Sequence, residues 1–293
     1  MLSANPVRME VLTRILNPAE AEVRITADPV DLSAEAELRG RLVGPRCPYA
    51  TTVEVAYPLR PVPGPRPPSG DVTARVIIPE PSFWDLETPF LYHGSVELWK
   101  AGNRCNAVEV RHGLRMLQLG KSGLRCNGRA LLIRGVSHPQ LQVEDARQFR
   151  RDGYNTLLAP VSAETADLWD AADQWGFLVL GRLPGTTDAI RCAEILKFHA
   201  SCLGWLLTAD AQKVPGELAR LQDGTGSLLG LELDRPLSEP LSQPFQFIFA
   251  KEEYLPRERT TQPPVLLQLP RSAGEEERKQ ALASSGILGW IAD

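Results

Sequence analysis

The hydrophobic period of this chain changes once, near residue 131, and that change fixes what its two parts can become. Upstream, the segments RMEVLTRILN, AEAELRGRLV, TTVEVAYPL, VTARVIIP, GSVELWK and NAVEVRHGLR each alternate apolar and polar residues. A period of two puts one row of side chains on each face of an extended strand, so each segment reads as a strand with one buried face. Turn formers separate them at Asn17-Pro18, Gly44-Pro45, Gly70-Asp71 and Gly102-Asn103. Short alternating strands at this spacing predict a two-sheet sandwich. The proline-rich stretch 57–70 reads as an extended loop, because proline has no N–H to give to a central ladder.

Downstream, short apolar runs alternate with stretches of helical spacing. LLIRGV, YNTLLAP, FLVLG and SCLGWLLT read as strands, and VEDARQFRRDG, AETADLWDAADQWG and TDAIRCAEILKFHA as the helices between them. GSLLGLEL, FQFIFA, PVLLQL and GILGWI continue the strand series to eight, with the charged helix GEEERKQALASS before the last. Strand–helix alternation with short links is the signature of a parallel α/β architecture. Eight such strands predict a barrel, but one well below the roughly 250 residues usual for that fold, and so with thin loops and missing helices.

Charge and composition narrow the function classes. A net charge of −4 over 293 residues gives no basic face for nucleic acid and no polybasic face for a membrane. The five cysteines, Cys47, Cys105, Cys126, Cys192 and Cys202, are odd in number with no C-x-x-C pair, which argues against a disulfide framework or a zinc ribbon. The four histidines are isolated. No metal or cofactor is expected from these patterns. No apolar run approaches the roughly 20 residues of a membrane span. The N-terminus lacks the apolar core of a signal peptide, so a cytoplasmic location is expected.

The order and spacing of several motifs resemble the family 2 glycoside hydrolases, the β-galactosidase, β-glucuronidase and β-mannosidase group. FWDLETPFLY at 83–92, RHGLR at 111–115 and CNGRALLIRGVSH at 126–138 carry the resemblance, through Trp84, Pro89, Leu91, Tyr92, Gly113, Arg115, Asn127, Gly128, Arg129, Arg134, Gly135 and Val136. DARQFRRDGYNT, LWDAADQWGFLVL, FHASCLGWLLTAD and GILGWIAD extend it towards the C-terminus. The resemblance implies an immunoglobulin-like β-sandwich over 1–122, followed by a minimal (β/α)8 TIM-type barrel over 123–293.

It also implies where chemistry should sit. A retaining glycosidase needs two carboxyl groups about 5–5.5 Å apart, one to protonate the leaving oxygen and one to attack the anomeric carbon. The family's acid closes the fourth barrel strand. Here that position is Asp210, preceded by Ala209 in place of Asn and one methylene shorter than Glu. The nucleophile position at the end of the seventh strand falls at Gln268 or Leu269, neither of which can form a glycosyl ester. Arg and His positions after the second strand become Leu158 and, nearby, Pro160; the carboxylate after the third strand becomes Gly181-Arg182. Trp290, Asn155, His138 and Asp293 remain as candidate substrate contacts.

These readings together predict a catalytically lapsed relative that binds a glycan or scaffolds a protein partner. An active hydrolase with Asp210 as acid and Asp293 or Glu232 as its partner is one alternative. A purely structural interaction module is the other.

Overall fold

The computed structural model describes residues 9–17, 19–27, 35–63, 70–208, 220–222, 224–236, 245–255, 263–283 and 286–293. The chain divides into two compact units, Met1–Trp84 with Thr88–Leu114, and Asp85–Glu87 with Arg115–Asp293. Residues 115–122 therefore belong with the second unit.

The first unit contains β1 (Met9–Asn17), β2 (Glu20–Ala27), β3 (Ala36–Arg46), β4 (Val55–Pro58), β5 (Arg60–Pro61), β6 (Val72–Pro79), β7 (Leu91–Lys100) and β8 (Asn103–His112). They form two four-stranded antiparallel sheets, ordered β1-β2-β6-β5 and β4-β3-β7-β8. Ala21, Val23, Ile25 and Ala27 of β2, with Val72, Ala74, Val76 and Ile78 of β6, bury one face of the first sheet. Leu38, Leu42, Val96 and Leu98 of the second sheet belong to the same apolar core. The alternation seen in sequence is therefore the core-facing row of each strand. The stretch 57–70 does not begin as a loop. Its first residues complete β4 and form β5, each at a sheet edge, where a proline costs no ladder bond.

The second unit begins with a small antiparallel sheet of β9 (Leu117–Gly120), β10 (Gly123–Cys126) and β11 (Arg129–Leu131), which the sequence reading did not anticipate. Asn127 and Gly128, at φ 50° and 78°, make the two-residue turn between β10 and β11. Both central residues of such a hairpin need positive φ, which Asn-Gly meets at least cost.

Eight parallel strands then close into a barrel: β12 (Ile133–Ser137), β13 (Thr156–Pro160), β14 (Leu178–Leu183), β15 (Cys202–Thr208), β16 (Leu228–Glu232), β17 (Phe247–Ala250), β18 (Val265–Leu269) and β19 (Ile287–Ala292). All eight expected strands are present, in sequential order. Between them lie α1 (Val143–Arg151), α2 (Ala166–Trp175), α3 (Thr187–Leu196) and, before β19, α4 (Glu275–Ala281). The seam closes by pairing β12 with β19, where Ile133 faces Gly289. A Cβ on Gly289, at φ +143°, would stand 1.9 Å from the Ile133 carbonyl oxygen, so the seam admits only glycine there.

Period two along each barrel strand sorts its side chains. Leu157, Val179, Trp205 and Leu207 pack outward against the helices. Leu231, Ile248, Ala250, Leu267, Trp290 and Ala292 form the outer layer on the other strands. The intervening residues point to the lumen, which Leu158, Leu180, Leu206, Phe247, Phe249 and Leu266 fill as buried side chains. Among the described residues no helix is long and apolar enough to cross a membrane.

Candidate functional site at the barrel mouth

Parity carries four polar side chains to the C-terminal ends of the strands, the face on which barrel sites are built. Arg182 on β14, Glu232 at the end of β16, Gln268 on β18 and Asp293 just after β19 all alternate with outward-packed neighbours and share one hydrogen-bond network. The Arg182 guanidinium grips Glu232 with two bonds, Nε to Oε2 at 2.9 Å and Nη2 to Oε1 at 2.8 Å. The same Nη2 donates to Asp293 Oδ2 at 2.8 Å. Gln268 Nε2 donates to that Oδ2 at 3.0 Å. Both carboxylates lie 2.8 Å from one nitrogen, so the two bonded oxygens are no farther apart than twice that distance.

The electrostatics follow from this packing. Burial alone would raise the Asp293 pKa. Hydrogen bonds from Arg182, Ser137 and Gln268, with the Arg182 charge, outweigh burial and hold it below the usual carboxylate range. Burial likewise works against the Arg182 charge, but the two carboxylates more than compensate and raise its pKa. The trio is thus fixed as one cation between two anions. Each side chain keeps some water contact, with 31%, 18% and 20% exposure for Arg182, Glu232 and Asp293. A cluster this wet adds little net stability; its larger effect is to fix geometry.

Beside it is a cavity of about 540 Å³, lined by Arg182, Thr208, Glu232, Lys251, Tyr254 and Gln268 among others. That volume lies within the usual range for small-molecule sites. The described residues hold no group of three or more His, Cys, Asp or Glu side chains arranged to bind a metal.

No protein-family model matches the chain. A β-galactosidase of Psychromonas ingrahamii is 24% identical to it over 119 residues, 36% of this chain and 12% of that enzyme. A β-galactosidase of Klebsiella pneumoniae strain 342 is 37% identical over 112 residues, 34% of this chain and 11% of the enzyme. The matched stretch is thus about a ninth of these relatives' length. In three dimensions the chain is similar to a glycosyl hydrolase family 2 member from Bacteroides cellulosilyticus, with a TM-score of 0.67 at 14% identity over 98% of this chain and 44% of that one. The chain is glycoside hydrolase family 2-like.

The family 2-like motifs turn out to hold the frame. Trp84 and Pro89 form an isolated antiparallel bridge. The Tyr92 hydroxyl accepts from Ser82 N–H at 3.0 Å. Asn127 Oδ1 accepts from Met116 N–H at 2.9 Å while its own N–H donates to Met116 O at 2.8 Å, tying the β10–β11 turn to the start of β9. Arg150, on α1, donates through Nη2 to Trp175 O at 2.6 Å, satisfying a carbonyl at the C-terminus of α2. Gly176, at φ 70°, ends that helix in the left-handed conformation.

Of the family 2-like candidates among the described residues, Asp293 and the seventh-strand Gln268 meet at the mouth. Glu232, named in sequence only as an alternative second carboxylate, joins them. Asp210 lies outside the described residues. Leu269 does not share Gln268's direction and packs against the outer apolar layer. Trp290 is a correction to the expected sugar contact. It is 4% exposed and sits outside the barrel wall, edge-on to Tyr154 at 5.8 Å and beneath the Arg278 guanidinium at 4.9 Å.

Asn155 is a second correction, because it precedes β13 at the opposite end of the barrel. There its Oδ1 accepts from Arg134 N–H and the Thr156 hydroxyl, each at 2.9 Å, and its Nδ2 donates to Leu132 O at 2.8 Å. His138 does follow β12 at the C-terminal end. Its ring turns to Phe149 of α1, 5.2 Å between centroids, with Nδ1 donating to the Gln140 carbonyl at 2.5 Å. Sequence reasoning recorded Arg182 as a lost carboxylate and missed it as a clamp. It also missed Thr208, Lys251 and Tyr254. Counting inward parity to the end of each strand would have found Arg182 and Thr208.

Proposed function

We propose that the chain is a carbohydrate-binding protein without hydrolytic activity, built as an immunoglobulin-like sandwich followed by a shortened TIM-type (β/α)8 barrel. One observation carries the reading: Arg182 stands between the carboxylates of Glu232 and Asp293 at the mouth. Hydrolysis with retention requires one protonated carboxyl and one free carboxylate, with the scissile bond lying between them. Here a guanidinium fills that space and holds Asp293 ionised, so Asp293 cannot donate a proton near neutral pH. At the seventh strand Gln268 offers an amide, which is a hydrogen-bond partner for a hydroxyl and no nucleophile. What remains suits recognition: fixed donors and acceptors on rigid strands, an aromatic ring at Tyr254 and a cavity large enough for a sugar.

The test is binding of immobilised neutral and acidic oligosaccharides to the purified chain, followed by titration of any that bind. The reading expects saturable binding to at least one glycan and its loss in Arg182→Ala with the fold retained. A folded protein that binds no glycan on a broad panel, or an Arg182→Ala variant that binds as well as the parent, contradicts it. The closeness of Glu232 and Asp293 favours a second reading, hydrolysis by this pair once Arg182 swings aside. Turnover of a nitrophenyl glycoside that Glu232→Gln abolishes supports it.

A further inference from the structure

The charges around the mouth cavity are unevenly matched. Arg182 is engaged by Glu232 and Asp293 together. Asp234, another carboxylate of the lining, lies 3.9 Å from Arg235 Nε. Lys251 is different. Among the described residues its ammonium makes no ion pair with a carboxylate, and it stands 5.8 Å from the centre of the Tyr254 ring. Both residues line the cavity. A single turn of 3-10 helix, Glu252–Tyr254, links them, closed by the Tyr254 N–H donating to Lys251 O at 3.1 Å. The cavity therefore carries an aromatic ring and a cation with no carboxylate partner among the described residues, both on one short, hydrogen-bonded segment after the sixth strand.

From this pairing we infer that Lys251 and Tyr254 form an anion-selecting subsite, so that the preferred ligand is a glycan bearing a sulfate ester or a carboxylate. The inference rests on the carbohydrate-binding reading above and adds the ligand's charge to it. A sugar ring laid on Tyr254 places an equatorial substituent within reach of the ammonium, where a negative group gains Coulomb energy and a hydroxyl gains only a hydrogen bond. Arg182 does not compete for that group, because two carboxylates already surround it.

The experiment titrates the full chain with three oligosaccharides of equal length: a neutral one, its sulfated form, and one containing a uronate. Anionic forms are expected to bind about five-fold more tightly than the neutral one, the scale of a partly exposed ion pair. Added salt is expected to shrink that ratio. Lys251→Met is expected to remove the preference, and Lys251→Arg to keep it. The tighter of the two anionic arms identifies whether sulfate or carboxylate is read. Equal affinity for neutral and anionic forms, or a preference that survives in Lys251→Met, overturns this inference alone. Failure of all three oligosaccharides to bind overturns the carbohydrate reading along with it.

Discussion

The two ends of the barrel use polar side chains for different purposes. At the N-terminal end they are tied mainly to backbone. Asn155 bridges Leu132 and Arg134. Asp173 of α2 accepts from Ser201 N–H at 2.6 Å and from His199 Nδ1 at 2.8 Å, pinning the turn that leads into β15. At the C-terminal end the polar groups grip one another, side chain to side chain, and border a cavity. An end that satisfies backbone groups is a fastening. An end whose polar side chains bind one another at the edge of a cavity can exchange those partners for a ligand. The contrast matches the rule that the bottom of a barrel serves stability and the top serves function.

Substitutions can break that comparison, beginning with the largest effect. Trp290→Ala is expected to cost about 3–5 kcal/mol, because it empties an aromatic site in the outer layer. Urea unfolding measures it, and glycan affinity per folded molecule should not change. A loss of affinity without a loss of stability would return Trp290 to the binding site. Asp173→Asn is expected to cost about 2–3 kcal/mol, since it removes the charge from a buried carboxylate that accepts from Ser201 N–H and His199. Burial raises the Asp173 pKa, but His199 and Ser201 outweigh it and hold it below the usual carboxylate range. A depressed carboxylate pKa contributes stability that is full above about pH 4, the unfolded value, and is lost as the pH falls further. The parent should therefore lose stability in acid more steeply than Asp173→Asn, and parallel profiles would contradict the assignment.

Asn155→Ala is expected to cost about 1 kcal/mol through the loss of its hydrogen bonds to Leu132 and Arg134, again with binding intact. Arg182→Met sharpens the contrast from the other side. Its carboxylate partners keep water contact, so the stability change should be about 1 kcal/mol, while glycan binding disappears. A large stability loss with binding retained would make the clamp a fastening like Asn155.

Much of the frame was legible in the sequence because the barrel strands are buried on both faces and read as apolar runs between helical stretches. The sheet of β9, β10 and β11 was not legible. Strands of three or four residues are too short to display a period, and only the Asn127-Gly128 turn betrays them. The site was legible in part. Trp290 and Asp293 were both nominated, yet residues three apart on one strand face opposite sides, so only one could reach the lumen. The same parity separates Gln268 from its neighbour Leu269. Asn155 precedes its strand and so belonged to the far end from the start. What no local pattern could supply was the meeting of Arg182 with Glu232 and Asp293, because three different strands bring them together.

The central claim, that the mouth binds sugar without cleaving it, is tested most directly by incubating the purified chain with nitrophenyl β-galactoside, β-glucuronide and β-mannoside and following nitrophenol release. The account expects no release above that of a Glu232→Gln, Asp293→Asn control from the same preparation. Turnover by the parent that disappears in Glu232→Gln or Asp293→Asn would contradict it.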